Sequence, residues 1–209
     1  MRLDHISYVA SHDQISDVVN RIGSQIGTAF VDGGIHPKFG TRNFTAPLLN
    51  GQYIEVVCPL DHPATDITPF GKLVKQKTEA GGGWMAWVLA TNSIAEFELR
   101  LGRKAVEGFR QKPDGSTLAW KQIGVNDTID NSINPFFVEW ISKNHPSSDG
   151  IAKAEIIEIG MFVKPDNKIK YDEFKIYSSA QFKFYSETSD SYGIKEIKFK
   201  FNNQIVILD

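Results

Sequence analysis

Two glutamates stand in matched surroundings. Glu55 lies in Tyr53-Ile54-Glu55-Val56-Val57, and Glu139 lies in Phe137-Val138-Glu139-Trp140-Ile141. Both segments read aromatic–apolar–Glu–apolar–apolar, and the two carboxylates are 84 residues apart. A carboxylate in the middle of an apolar strand is costly to bury unless it is paired or bound to a metal. Strand side chains alternate, so Glu55 shares a face with Tyr53 and Val57, and Glu139 shares one with Phe137 and Ile141. If the two segments belong to similar folding units, pseudo-symmetry brings both carboxylates into one cleft. There a carboxylate can bind a metal or move a proton. The plainer alternative places each on the solvated face of a half-exposed sheet.

His5 is the next candidate, in a first strand that also holds Ser7. His5 with Glu55 and Glu139 makes a three-ligand set that leaves coordination positions for water or substrate. Imidazole and carboxylate donors suit Zn, Ni, Fe or Mn better than Ca. The alternative is a structural histidine near the chain start. His36 precedes Pro37 in a stretch with Gly33, Gly34 and Gly40. It reads as a general base, a lid residue or a plain turn residue. His62-Pro63 and His145-Pro146 read as surface loop ends. Cys58 reads as a small buried hydrophobe, not a nucleophile. No strand–GxGxxG–helix or GxxxxGK[ST] pattern is present, so no nucleotide cofactor is expected.

The elements that must position these groups fall into a repeated order. Residues 3–10 alternate as a strand, and Ile15, Val18, Val19 and Ile22 mark one face of a helix over 13–23. A glycine-rich loop follows. Strands over 41–49 and 52–58 flank Asn50-Gly51, a strong hairpin signal. A connector over 63–83, with a helix over 70–79, leads to the second unit. That unit has a strand over 84–90, a helix over 93–102, strands over 105–110 and 116–123, a polar loop over 124–134 and a strand over 136–141. Two βαβββ modules, 1–62 and 84–146, therefore share one α+β architecture: a curved mixed sheet around a cleft. Residues 147–209 form a β-rich extension that reads as a degraded third unit. Strands are expected over 155–163, 181–185, 194–200 and 203–208, and a short helix over 171–177.

Composition bounds the partners. The 209 residues carry a net charge of −2, so nothing draws the chain as a whole to nucleic acid or an anionic membrane. No stretch has the length or apolarity of a membrane span or a signal peptide. The single cysteine, Cys58, excludes an intrachain disulfide. The default expectation is a soluble cytoplasmic protein, with a homodimer allowed.

Several motifs occur together in order: Leu3-Asp4-His5-Ile6, Gly33-Gly34-Ile35-His36-Pro37 with Gly40-Thr41-Arg42-Asn43, and Tyr53-Ile54-Glu55. The second half adds Arg110-Gln111-Lys112-Pro113-Asp114-Gly115, Leu118-Ala119-Trp120, Pro135-Phe136-Phe137-Val138-Glu139-Trp140 and His145-Pro146. Over about residues 1–146 the chain resembles glyoxalase-like domain proteins of the vicinal oxygen chelate (glyoxalase/bleomycin resistance/extradiol dioxygenase) superfamily. The resemblance implies a divalent metal held by ligands from the first and last strands of each module. Position by position it selects His5, Glu55 and Glu139, while the first strand of module two offers Trp84, Met85 or Ala86. It implies metal-assisted lyase or isomerase chemistry on a small oxygenated metabolite, with Glu55, Glu139 and His36 in catalytic roles. The superfamily also contains metal-free drug-binding proteins. In that alternative, Trp84, Trp87, Trp120, Phe137 and Trp140 supply stacking walls.

Overall fold

The computed structural model describes residues 1–163, 180–186 and 192–209. The first module comprises β1 (Arg2–Val9), α1 (Ile15–Ile26), β2 (Val31–His36), β3 (Thr41–Leu48) and β4 (Gln52–Pro59). Two helices follow, α2 (Pro63–Ile67) and α3 (Pro69–Glu79). The second module comprises β5 (Gly83–Ala90), α4 (Ile94–Leu101), β6 (Val106–Gln111), β7 (Thr117–Ile123), α5 (Val125–Asp130) and β8 (Phe136–Trp140). A separate four-stranded sheet contains β9 (Glu155–Val163), β10 (Gln181–Ser186), β11 (Gly193–Phe201) and β12 (Gln204–Leu208). The fold is α+β, as expected. The helix expected over 171–177 lies outside the described residues.

The curved sheet closes on itself. Its order is β1-β4-β3-β2-β6-β7-β8-β5, so each module contributes one half of an eight-stranded barrel. The halves join at two seams of unequal strength. At one, β1 and β5 run antiparallel and pair from Arg2↔Ala90 to Val9↔Gly83. At the other, β2 and β6 share the single pair Ile35↔Gln111. Gly34 sits at this second seam with φ +91°, and a Cβ there would lie 1.7 Å from the Gln111 carbonyl oxygen. Only glycine permits that approach. This explains why β2 reads as a loop in the sequence: its glycines serve the seam and erase the strand pattern.

The alternating strands sort the core into two layers. Outward residues of the barrel (Ile6, Ile54, Val56, Trp84, Trp87, Phe137) pack with α1 and with Ile156, Ile159 and Phe199 of the second sheet. Helix α1 turns Ile15, Ile22 and Ile26 to that layer and stops at Gly27 in the left-handed region. Inward residues (Val9, Val57, Met85, Val88, Trp120, Phe136, Val138) pack with Phe70, Leu73 and Val74 of α3 and Val125 of α5. Helices α2 and α5 are absent from the expectation because each is shorter than two turns and shows no apolar period. The second sheet has the order β10-β9-β11-β12, which differs from the β1-β4-β3-β2 order of a module.

Candidate functional site

Inside the barrel, a cavity of about 380 Å³, part of it open to solvent, is lined by residues of both modules and α3. Module one supplies His5, His36, Asn43, Tyr53 and Glu55; module two supplies Arg110, Trp120, Gln122, Phe136, Val138 and Trp140; α3 supplies Phe70.

Glu55 lies at the centre of its hydrogen bonds. The side chain is 5% exposed. Ser7 Oγ donates to Oε2 at 2.8 Å, and Asn43 Nδ2 donates to Oε1 at 2.8 Å. Burial by itself would raise the Glu55 pKa. The neighbouring His5 and His36 and the two hydrogen bonds outweigh burial and hold it below the usual glutamate value. His5 Nε2 stands 3.9 Å from Glu55 Oε2. The imidazole stacks on Tyr53 with ring centroids 4.4 Å apart.

Behind His5 stands Asp4, fully buried. The pairing of β1 with β5 skips Asp4, passing from Leu3↔Leu89 to His5↔Val88. A bulge of this kind re-aims side chains, and here the Asp4 carboxylate meets His5 Nδ1 at 3.0 Å. Desolvation pushes the Asp4 pKa upward, but hydrogen bonds from His145 and His5 prevail and keep it well below the usual range. An ionised carboxylate only accepts, so His5 Nδ1 carries the hydrogen and Nε2 faces Glu55. Trp140 Nε1 also donates to Asp4 Oδ2 at 3.2 Å, and His145 Nε2 lies 3.1 Å from Oδ1. His145 is thus a buttress of the site, not a surface loop end. His62 accepts the Ala64 N–H and starts α2.

His36 ends β2 inside the cavity, with Nδ1 2.9 Å from Thr41 Oγ1. Trp120, Phe70 and Phe39 surround its ring edge-on. Burial in this apolar setting lowers its pKa to about 4, against the pull of Glu55, so it is neutral at pH 7. His36 also opens the turn that follows β2, its carbonyl accepting the N–H groups of Phe39 and Gly40 at 3.0 Å.

Arg110 is the cation of the cavity, 2% exposed. Its Nη1 donates to Asn43 Oδ1 at 3.3 Å, and its Nη2 donates to Asp149 Oδ2 at 3.3 Å. Lys112 Nζ also donates to Asp149, at 2.7 Å. Gly33 makes room for this bridge: a Cβ there would lie 2.1 Å from Asn43 Oδ1 and 2.4 Å from Arg110 Nη1. Asp4, Asn43 and Arg110 all stand within the family motifs of the sequence. What it lacked was any sign that they meet.

Glu139 does not line the cavity. Phe136, Val138 and Trp140 point inward from β8, which turns Glu139 outward. There it is half-buried opposite Lys121, and its Oε2 accepts the backbone N–H of Ile94 at 3.2 Å, at the start of α4. The physical reason is register. His5 pairs with Tyr53, and the corresponding pair in module two is Val88 with Phe136. Both steps are 83 residues, so the counterpart of Glu55 is Val138, not Glu139. A shift of one residue flips a side chain to the opposite face. The counterpart of His5 is Val88, not Trp84, Met85 or Ala86.

This arrangement decides the metal question for the expected ligands. The four positions on first and last strands carry His5, Glu55, Val88 and Val138, so only two present donors. Both Glu55 oxygens already accept hydrogen bonds, and a guanidinium occupies the same cavity. Among the described residues, no group of three or more His, Cys, Asp or Glu side chains is placed to hold a metal ion. The residues present do not fit the expected His5–Glu55–Glu139 centre. The expected aromatic walls divide as well. Trp120 and Trp140 line the cavity, while Trp84, Trp87 and Phe137 belong to the outer layer. Cys58 is buried in that layer, and burial raises its thiol pKa.

The barrel thus joins two βαβββ halves around a shared interior cavity. Residues 3–177 match the glyoxalase-like domain, and the chain belongs to that family. The crystal structure of a hypothetical protein from Staphylococcus aureus is similar with a TM-score of 0.67 and 16% identity, over 97% of this chain and 92% of that chain. Methylmalonyl-CoA epimerase from Mycobacterium tuberculosis is similar at TM-score 0.43 and 12% identity, over 66% of this chain and 86% of that one. A Streptomyces coelicolor methylmalonyl-CoA epimerase variant, in complex with 2-nitronate-propionyl-CoA, is similar at TM-score 0.43 and 15% identity, over 68% of this chain and 99% of that one. At these identities the likeness is one of fold. No curated protein matches the chain. None of the described helices is long and apolar enough to cross a membrane.

Proposed function

We propose that the cavity is an active site for proton transfer on a small oxygenated metabolite, with Glu55 and His5 as the groups that move the proton. The observation that supports this is the state of Glu55. It is ionised though buried, it is oriented by Ser7 and Asn43, and it stands 3.9 Å from an imidazole nitrogen. Holding a charged carboxylate in such a site opposes folding by several kcal/mol before compensation, and a purely structural role would be met by a neutral pair. Asp4 orients His5 by accepting its Nδ1–H, which leaves Nε2 free to take or return a proton. Trp120, Phe136 and Trp140 exclude water from the reacting carbon. No step is routed through a metal.

The test is solvent deuterium exchange at carbon, followed by NMR over a panel of small carbonyl and hydroxyl metabolites. Exchange that depends on Glu55 supports the reading. A panel in which ligands bind but none exchanges would overturn it. A binding protein is then the better description, and the Trp120 and Trp140 walls favour that second reading.

A further inference from the structure

Polar groups in the cavity can be sorted into those already paired and those still free to meet a ligand. The Tyr53 hydroxyl has no hydrogen-bond partner among the described residues, and burial drives its pKa well upward, so it remains a donor. Gln122 accepts the Trp120 indole N–H at 2.8 Å through Oε1, which leaves its amide nitrogen to donate. Arg110 has spent one donor on Asn43 and one on Asp149, while its buried Nε–H has no partner. A guanidinium offers five N–H donors, so most of its capacity is unspent. Three donor groups, Arg110, Tyr53 and Gln122, therefore remain available to a ligand, beside the acceptors His5 Nε2 and Glu55.

From these donors we infer that the ligand is a small organic carboxylate whose oxygens are held by Arg110, with Tyr53 and Gln122 as further donors. Arg is the side chain best matched to a carboxylate, because its planar fork can donate two parallel hydrogen bonds. The charge count favours a monoanion. Arg110 already faces Asp149, and Asn43 ties it to the Glu55 carboxylate, so a second negative charge on the ligand would meet two carboxylates. A phosphate dianion is disfavoured on that ground. The inference rests on reading the cavity as the substrate site, and it names the substrate class for that site.

Tryptophan fluorescence tests it directly, because Trp120 and Trp140 line the cavity. The unmodified chain is titrated with pyruvate and lactate, with the matched amides, and with inorganic phosphate. Saturable quenching by the acids, at a Kd about tenfold or more below that of the amides, is the expected result. Arg110→Lys keeps the charge but loses the fork, and it should weaken acid binding while leaving the amides unchanged. Equal Kd values for acids and amides, no saturable binding of any acid, or tighter binding of phosphate overturns the inference. The comparison of acid with amide needs no variant, so misfolding of Arg110→Lys cannot obscure it. Glu55→Gln separates this inference from the proton-transfer reading. If acids bind through Arg110 but no carbon proton exchanges, proton transfer fails and the carboxylate site stands. If neutral ketones exchange as well as acids and acids show no preference, the carboxylate site fails and proton transfer stands.

Discussion

The two halves of the barrel are alike in backbone and unlike in chemistry. At matched positions module one carries His5, Tyr53 and Glu55, where module two carries Val88, Phe136 and Val138. Module one also contributes His36 and Asn43 to the cavity, while Trp120 and Trp140 of module two form apolar walls. The exceptions, Arg110 and Gln122, are donors, and Arg110 reaches across to Asn43 of the other half. The difference teaches that a duplicated unit can divide one cavity into a half rich in titratable groups and a half of apolar walls and donors. Each half then needs the other: the carboxylate is oriented through Asn43, which Arg110 braces from across the β2–β6 seam.

The largest expected effect comes from removing the base of the polar half. Glu55→Gln should lower the rate of carbon-proton exchange by about 10²–10⁴-fold, read by NMR in deuterated buffer. Making the apolar half resemble the polar one is the converse experiment. The double substitution Val88→His with Val138→Glu supplies the two missing donors. Without metal it should be less stable by several kcal/mol, because it buries unpaired polar groups. Added Zn²⁺ or Ni²⁺ should restore its melting temperature. Equal metal stabilisation of the unmodified chain would remove the distinction between the halves.

The next effect concerns acid stability. The His36 pKa lies at about 4 in the folded chain, below its ordinary 6.5, because burial disfavours the imidazolium. Between those values the unfolded chain binds a proton that the folded chain does not, so stability falls as the pH drops from 6.5 toward 4. The loss is on the order of 3 kcal/mol, and denaturant melts of His36→Gln should show a flatter pH dependence over that window. Asp4 and Glu55, whose pKa values are depressed, stabilise the fold above their unfolded values and add their own loss at lower pH. The smallest effect separates the two repeated glutamates. Glu139→Ala removes the acceptor at the start of α4 and should cost about 1 kcal/mol, with carbon-proton exchange unchanged. A large loss of exchange in that variant would place Glu139 in the site after all.

Much of the barrel was legible in the sequence because its strands are apolar, regular and bounded by strong turns such as Asn50-Gly51. β2 was not, since Gly33 and Gly34 leave no alternation to read. In the site, His5, Glu55 and His36 stood out by residue type. Glu139 stood out equally and belongs elsewhere, because a pattern match across 84 residues cannot detect a true repeat of 83. Arg110 was visible only within a motif. Its role depends on β6 lying next but one to β3, with β2 between them, which pairing between distant strands decides and local sequence does not. The Asp4 bulge shows the same limit: one unpaired residue in β1 makes the Asp4 carboxylate the partner of His5.

The unequal seams carry a mechanical consequence. The ring of strands behaves as a bracelet with a broad hinge at β1–β5 and a small buckle at β2–β6. Parting the buckle gives up one ladder pair, whereas parting the hinge gives up the whole length of β1. Amide deuteration should therefore reach Ile35 and Gln111 long before Ile6 and Trp87. The Arg110–Asn43 bond crosses beside the buckle, from β6 to β3. That bond ties β6 to β3 past β2, so the buckle is held by a side chain as well as by its one ladder pair.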